Sequence, residues 1–130
     1  MNVVLIETEG RGHNAVIEVD GQRLTVRDAL SPADRAASPG PVVGARFDAV
    51  LADPRSPGRA PQDNPECHVG LEHQRGWRYL GHGRLLSVDP VRIDLGLLVL
   101  EPQAFPPGNR ETGEYLTVSI DRISLTAVRR

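Results

Sequence analysis

The sequence contains no lysine, and all 15 of its Lys/Arg positions are arginines. Lysine supplies the amine of Schiff-base enzymes, the phosphate contact of the G-x-x-x-x-G-K loop and the strand lysine of protein kinases, so these mechanisms are excluded. The motifs G-x-S-x-G and H-E-x-x-H are also absent. The stretch most similar to a dinucleotide-binding fingerprint, Gly81 to Leu86, lacks the third glycine and opens no helix.

Cysteine and long apolar runs are equally scarce. The single cysteine, Cys67, excludes an internal disulfide framework. No basic segment precedes the first short apolar run, and the longest later run, Leu95 to Leu100, is too short to span a membrane. A chain of 130 residues with a net charge of −2 has the size of one domain. We therefore expect a soluble cytoplasmic protein whose single domain covers residues 1–130.

The N-terminal part predicts a β-hairpin. Asp20-Gly21 is a strong hairpin signal between the alternating segments 14–19 and 22–27. A two-residue turn places Ile17 opposite Leu24, so the apolar side chains of both strands share one face.

Apolar alternation continues along the chain and predicts further strands. Gly81-His82-Gly83 predicts a bulge or sharp bend between two of them, and Asp121-Arg122 shifts the alternation of the last strand by one residue. Ser31 and Pro32 are typical of the start of one short helix. Proline-rich loops are expected near residues 29–42, 53–66 and 102–114. The further predicted strands are Val3 to Thr8, Val43 to Leu51, Trp77 to Leu80, Arg84 to Val88, Val91 to Leu100 and Leu116 to Ala127.

These elements predict an all-β protein, mainly a small antiparallel and strongly bent β-barrel of SH3-like, Sm-like or OB-like size. We expect six or seven strands and at most one or two short helices, because no βαβ rhythm is present. The closing strand, with its kink at Ile120 to Ile123, resembles the end of SH3-like and Sm-like barrels. This resemblance implies a topology and carries no site residues with it.

Histidine and cysteine cluster in one part of the chain. Cys67, His68, His73 and His82 lie within sixteen residues, with Glu72 beside them, and their side chains are of the types that bind zinc. Cys67 and His68 are adjacent, however, which strains simultaneous ligation. The alternative is a polar connection before a strand, in which Cys67 packs as a small apolar residue.

A second candidate site is a small binding surface made by Trp77, Tyr79, His82 and Arg84 around the two glycines. The alternative, which we favour, is that Trp77 and Tyr79 belong to the core and that the glycines permit curvature of the barrel.

Nucleic-acid binding and catalysis find less support in the sequence. Only five aromatic residues are present and arginines alternate with carboxylates, so no basic patch is visible, although Arg23, Arg27, Arg46 and Arg84 could form a stripe in three dimensions. Paired carboxylates occur, but no general base or nucleophile stands beside them.

We therefore predict a non-enzymatic binding or assembly module that acts through protein–protein contacts, such as a subunit of a bacterial complex. Val3 to Ile6 and Leu116 to Val128 are the expected edge strands, through which a partner or a second copy would pair to form a homo-oligomer. An Sm-like or OB-like nucleic-acid-binding barrel and a zinc-binding protein are the alternatives.

Overall fold

The computed structural model describes residues 2–105 and 110–127, and within them the chain forms eleven β-strands and no helix. The expected number of strands was therefore too low, because short strands such as β4 and β6 carry no alternating pattern. The strands are β1 (Val3–Thr8), β2 (Asn14–Val19), β3 (Gln22–Asp28), β4 (Gly40–Val42), β5 (Ala45–Leu51), β6 (Gln62–Asp63), β7 (Gly70–Arg75), β8 (Arg78–Val88), β9 (Val91–Asp94), β10 (Val99–Pro102) and β11 (Tyr115–Ala127).

Five of these strands close into a barrel, which confirms the predicted all-β, strongly bent fold. β11 pairs with β5 and with β8, and the ring is completed by the pairs β5–β10, β10–β9 and β9–β8. β1 to β4 extend from β11 through β3 as an N-terminal arm. Most pairs are antiparallel as predicted, but β5–β10 and β3–β11 are parallel.

The hairpin of β2 and β3 has the predicted register, with Ile17 opposite Leu24. Both turn residues have positive φ, 48° at Asp20 and 84° at Gly21. This backbone matches the right-handed twist of the flanking strands, which explains the strength of the Asp-Gly signal.

β11 is the central strand of the molecule. Its first half, Tyr115 to Ile120, pairs with β8, and its second half, Arg122 to Ala127, pairs with β5. The predicted phase shift between these halves is confirmed, since Ile120 and Ile123 are both buried while the two residues between them are half-buried.

Both predicted edge strands are wrong, because each has neighbours on both sides. β11 also pairs with β3 and β6, and Val128 lies outside the described residues. β4 covers β1 along Val3 to Leu5.

β8 is one strand across Gly81-His82-Gly83, so the predicted bulge and the predicted division into two strands are wrong. Its register with β11 runs without interruption from Tyr79 to Arg84. The glycines instead permit close packing: a Cβ on Gly83 would lie 2.1 Å from the carbonyl oxygen of Asp94, on the neighbouring β9. Position 83 therefore requires glycine because there is no room for a side chain, and not because the backbone has a positive φ.

The helix predicted at Ser31 is also wrong. Ser31 is fully buried, and its hydroxyl donates to the Asp28 carboxylate and accepts from the amide of Ala37 at 2.8 Å. These bonds hold the segment against the end of β3 as a series of turns.

One hydrophobic core joins the barrel and the N-terminal arm. Tyr79 connects the two parts: its ring is 2% exposed, and its hydroxyl donates to the Thr25 carbonyl at 3.3 Å and accepts from the Thr25 amide at 2.8 Å. Burial raises the pKa of this phenol, partly offset by the bond with the Thr25 backbone.

Candidate functional site

The outer face of β8 carries the most concentrated group of polar side chains near the predicted sites. Alternate residues of a strand point to opposite faces. Tyr79 points into the core, whereas His82 and Arg84 point outward. Across the β8–β11 ladder, His82 lies opposite Thr117 and Arg84 lies opposite Tyr115. We call the surface formed by these four residues, Glu72, residues 63–69, Arg110 and Glu114 the His82 face.

A tight turn at residues 64–68 forms one wall of the His82 face. Asn64 is buried, its side-chain oxygen accepts from the His68 amide at 3.1 Å, and its side-chain nitrogen donates to the His68 carbonyl at 2.8 Å. The Cys67 amide donates to the Asn64 carbonyl at 3.0 Å, and Cys67 has φ 55°. Asparagine side chains bond to nearby backbone in this way at turns, which fixes His68 beside β8.

His82 has a polar neighbour at each of its two ring nitrogens. Its Nδ1 is hydrogen-bonded to the Thr117 hydroxyl at 2.9 Å, and its Nε2 lies 3.6 Å from Glu72 Oε1. The His82 side chain is 18% exposed, whereas that of Glu72 is 65% exposed. The ring of His68 lies edge-on to that of His82, with centroids 6.4 Å apart, and its Nε2 bonds to Glu66 at 2.6 Å.

Two open hollows lie on either side of the Asn64 turn. The first, of about 310 Å³, is lined by residues 68–72 and His82. The second, of about 370 Å³, is lined by residues 63–65, Cys67, residues 113–114 and Tyr115. Val69 adds an apolar side chain that is 52% exposed at the first hollow.

Carboxylates outnumber arginines around these hollows. Within the described residues the face carries Asp63, Glu66, Glu72 and Glu114 against Arg84 and Arg110. Arg110 Nη2 lies 3.6 Å from Asp63 Oδ1 and so neutralises one of them.

The four predicted metal ligands do not converge. Only His68 and His82 are neighbours; the Cys67 thiol lies 3.9 Å from the Pro65 carbonyl and lines the other hollow. His73 donates from Nε2 to the Gly76 carbonyl at 2.9 Å, and its ring packs against Tyr79, with centroids 5.0 Å apart. In the described part of the chain, no three histidine, cysteine or carboxylate side chains form a ready-made metal site.

The predicted binding residues are likewise divided. His82 and Arg84 share the outer face of β8, whereas Tyr79 is committed to the core as the alternative interpretation had it. Trp77 lies in the turn between β7 and β8, just before the first residue of β8. Of the four arginines that could have formed a stripe, Arg46 is engaged in a two-point ion pair with Glu101 at 2.6 and 3.0 Å.

Sequence reasoning missed Asn64, Thr117 and Tyr115. The Asn64-Pro65 pair is a turn signal that could have indicated the tight turn. No local signal could have predicted the contact between Thr117 and His82. The two residues are 35 positions apart, and their contact depends on the register between β8 and β11.

Comparison with protein-family models, with curated proteins and with solved structures finds no match for this chain. The described residues form no helix of the length and apolar character needed to cross a membrane.

Proposed function

We propose that the protein is a non-enzymatic binding module that docks a basic segment of a partner protein on the His82 face. The observation that carries this proposal is the pair of hollows beside the Asn64 turn, bordered by four carboxylates and two arginines. A partner that supplies arginine or lysine side chains complements this charge.

The apolar and aromatic groups of the face support a protein as the ligand. Tyr115 and the exposed Val69 lie at the two hollows, so a basic segment with one or two apolar side chains could fill both. Protein interfaces combine buried aromatic or aliphatic anchors with a polar rim in this way.

Strand pairing contributes less to this proposal than the sequence suggested. β7 pairs only with β8 among the described strands, but Gln22 Nε2 donates to the Leu71 carbonyl at 3.4 Å and a bulge follows His73. A capped and bulged strand offers few free backbone groups to a partner or a second copy. Native mass spectrometry tests the expected homo-oligomer directly.

Panning a random-peptide phage library on the immobilised protein tests the basic-segment proposal. We expect enrichment of peptides that combine arginine or lysine with an apolar residue. Recovered peptides should bind the Glu66→Lys/Glu72→Lys double variant about tenfold more weakly, since each charge contributes on the order of 0.5–1 kcal/mol.

The matched control is Glu7→Lys/Glu9→Lys, which makes the same charge change on the N-terminal arm. It should leave peptide affinity within about twofold, because long-range charge effects are screened by salt. Absence of any enriched peptide, or equal weakening by both double variants, contradicts the proposal.

Zinc binding is the second candidate, and the arrangement of His82 favours it. Zinc-bound histidines commonly hydrogen-bond through the other ring nitrogen, and His82 combines the Nδ1 bond to Thr117 with an Nε2 that lies 3.6 Å from Glu72. His68 would join them after leaving Glu66. Native mass spectrometry of protein purified without chelator should then detect one zinc per chain, lost in His82→Gln and kept in His73→Gln. Metal-free wild-type protein contradicts this candidate.

A further inference from the structure

A second charged surface, of opposite sign, lies at the turn between β7 and β8. Asp121 Oδ1 lies 2.8 Å from Arg59 Nη2 and 3.9 Å from Arg78 Nε. Arg75 is the cross-strand partner of Arg78, and Arg122 follows Asp121 at the kink of β11. We call Arg59, Arg75, Trp77, Arg78, Asp121 and Arg122 the Arg78 patch.

The Arg78 patch has more cations than its own carboxylate can neutralise. Arg59 and Arg78 face Asp121, Arg122 follows it in the sequence, and Arg75 lies opposite Arg78. Asp53, in the loop after β5, is paired with Arg55 at 3.1 Å. Like charges directly opposite across a strand pair are destabilising. The Arg75–Arg78 pair therefore adds to the excess of positive charge beside Asp121, which an anionic ligand would offset.

The only tryptophan of the chain lies within this patch. Trp77 is half-buried and stands immediately before Arg78 and two residues after Arg75. Gly76, with φ 56°, forms the turn that brings these residues to one end of the β7–β8 hairpin. Guanidinium groups bind phosphate oxygens through two parallel hydrogen bonds, and indole rings stack on nucleobases.

We propose that the Arg78 patch binds single-stranded nucleic acid, with the arginines on successive phosphates and Trp77 against a base. The combination of clustered guanidinium groups and an aromatic ring favours this ligand over an acidic protein, which needs no stacking surface. Since the whole chain has a net charge of −2, binding is confined to the patch and is sensitive to salt. This function goes beyond the proposed docking of a basic segment and uses the turn between β7 and β8 instead of the His82 face.

Fluorescence anisotropy with a labelled twelve-nucleotide oligothymidylate tests the proposal. Three or four phosphate contacts predict a slope of about −2 to −3 for log K against log salt concentration, since each contact on a single strand contributes about 0.7. Arg75→Gln and Arg78→Gln should each weaken binding and bring the slope about 0.7 closer to zero.

Arg84→Gln is the matched control, because Arg84 is an exposed arginine of the same strand on the His82 face. It should leave both affinity and slope unchanged. Equal weakening by Arg84→Gln, or no saturable binding of the oligonucleotide by the wild type, overturns the proposal.

Two further ligands separate nucleic acid from other polyanions. An abasic oligonucleotide of the same length should bind at least about fivefold more weakly than oligothymidylate, because stacking of one base is worth about 1–3 kcal/mol. Polyglutamate should bind more weakly still. Equal binding of polyglutamate and oligothymidylate assigns the patch to acidic proteins and overturns the nucleic-acid assignment.

Replacement of the indole tests its role separately. Trp77→Leu should weaken oligothymidylate about fivefold or more without altering the salt slope, whereas Trp77→Phe keeps an aromatic ring and should retain most of the affinity. Circular dichroism checks that both variants are folded. Unchanged affinity in a folded Trp77→Leu variant overturns the stacking contact. A variant of the Arg78 patch that loses oligonucleotide binding but still binds the basic peptide shows that the two proposed functions use different residues.

Discussion

The buried carboxylate of Asp28 makes the most specific prediction for stability. Asp28 is 1% exposed. One oxygen accepts from the amides of Leu30 and Ser31, both at 2.7 Å, and the other accepts from the hydroxyls of Ser31 and Thr8. The substitution Asp28→Asn keeps the shape and the first pair of bonds but replaces the second oxygen by an NH₂ group.

The two hydroxyls cannot adapt to that NH₂ group without loss. Thr8 Oγ1 already accepts from the Gly10 amide at 3.0 Å and Ser31 Oγ from the Ala37 amide at 2.8 Å, so each oxygen has one lone pair left for the new NH₂ group. Both hydroxyl hydrogens, however, lose the carboxylate oxygen to which they donate in the wild type. Hydrogen bonds to charged groups contribute about 1.5–3 kcal/mol each, and part of this loss is offset because a neutral amide is easier to bury. We expect Asp28→Asn to lower the free energy of unfolding by about 3 kcal/mol.

Urea unfolding followed by the fluorescence of Trp77, the single tryptophan, measures this change. Asp34→Asn is the control, because Asp34 is exposed and its nearest cation, Arg35 Nη1, is 3.8 Å away. The control should change stability by less than about 0.5 kcal/mol. A loss below about 1 kcal/mol for Asp28→Asn refutes the argument from the four donors.

The same carboxylate predicts how stability depends on pH. Burial alone would raise the pKa of Asp28, but the hydrogen bonds from Ser31, Thr8 and the backbone outweigh it, so the pKa lies below its ordinary value of 3.8. A lowered pKa stabilises the folded protein above the unfolded-state value, and this contribution is lost as the pH falls through the folded-state pKa. The difference in unfolding free energy between wild type and Asp28→Asn should therefore be constant above pH 3.8 and shrink below it. A difference that grows on acidification contradicts the assignment.

Two further substitutions test the packing that closes the barrel. Gly83→Ala should lower the free energy of unfolding, measured with urea, by about 3 kcal/mol, because its Cβ would lie 2.1 Å from the Asp94 carbonyl oxygen and would force β8 and β9 apart. A decrease of less than about 1 kcal/mol contradicts this contact. Tyr79→Phe should cost about 1–3 kcal/mol in the same assay, because it leaves the Thr25 amide without its partner, while Tyr115→Phe on the outer face should be nearly neutral.

The hairpin and the kink of β11 could be predicted because their signals are local. Asp20-Gly21 determines its own turn, and the shifted alternation at Asp121-Arg122 records where the strand exchanges one neighbour for another. The role of β11 as the central strand could not be predicted. Its four neighbours come from segments far apart in the chain, and alternation reports burial of a face rather than the number of hydrogen-bonded edges.

The candidate site could be predicted only in part. The sequence placed His82 and Arg84 in one candidate surface, but it put His82 in a bulge or bend between two strands. It also grouped both residues with Tyr79, which the period of two assigns to the other face of β8. The excess of arginines around Asp121 was invisible in sequence, because Arg59, Arg78 and Asp121 belong to three separate segments. The net charge of the whole chain, −2, does not reveal that acidic residues collect on the His82 face and arginines in the Arg78 patch.

We propose two binding surfaces for this protein, an acidic His82 face and a basic Arg78 patch. Titration of one panned basic peptide and of oligothymidylate against two variants, Glu66→Lys/Glu72→Lys and Arg75→Gln/Arg78→Gln, tests this proposal most directly. We expect the first variant to lose affinity for the peptide and keep its affinity for the oligonucleotide. The second variant should lose affinity for the oligonucleotide and keep its affinity for the peptide. The proposal is contradicted if one variant loses affinity for both ligands, or if both variants bind both ligands as tightly as the wild type does.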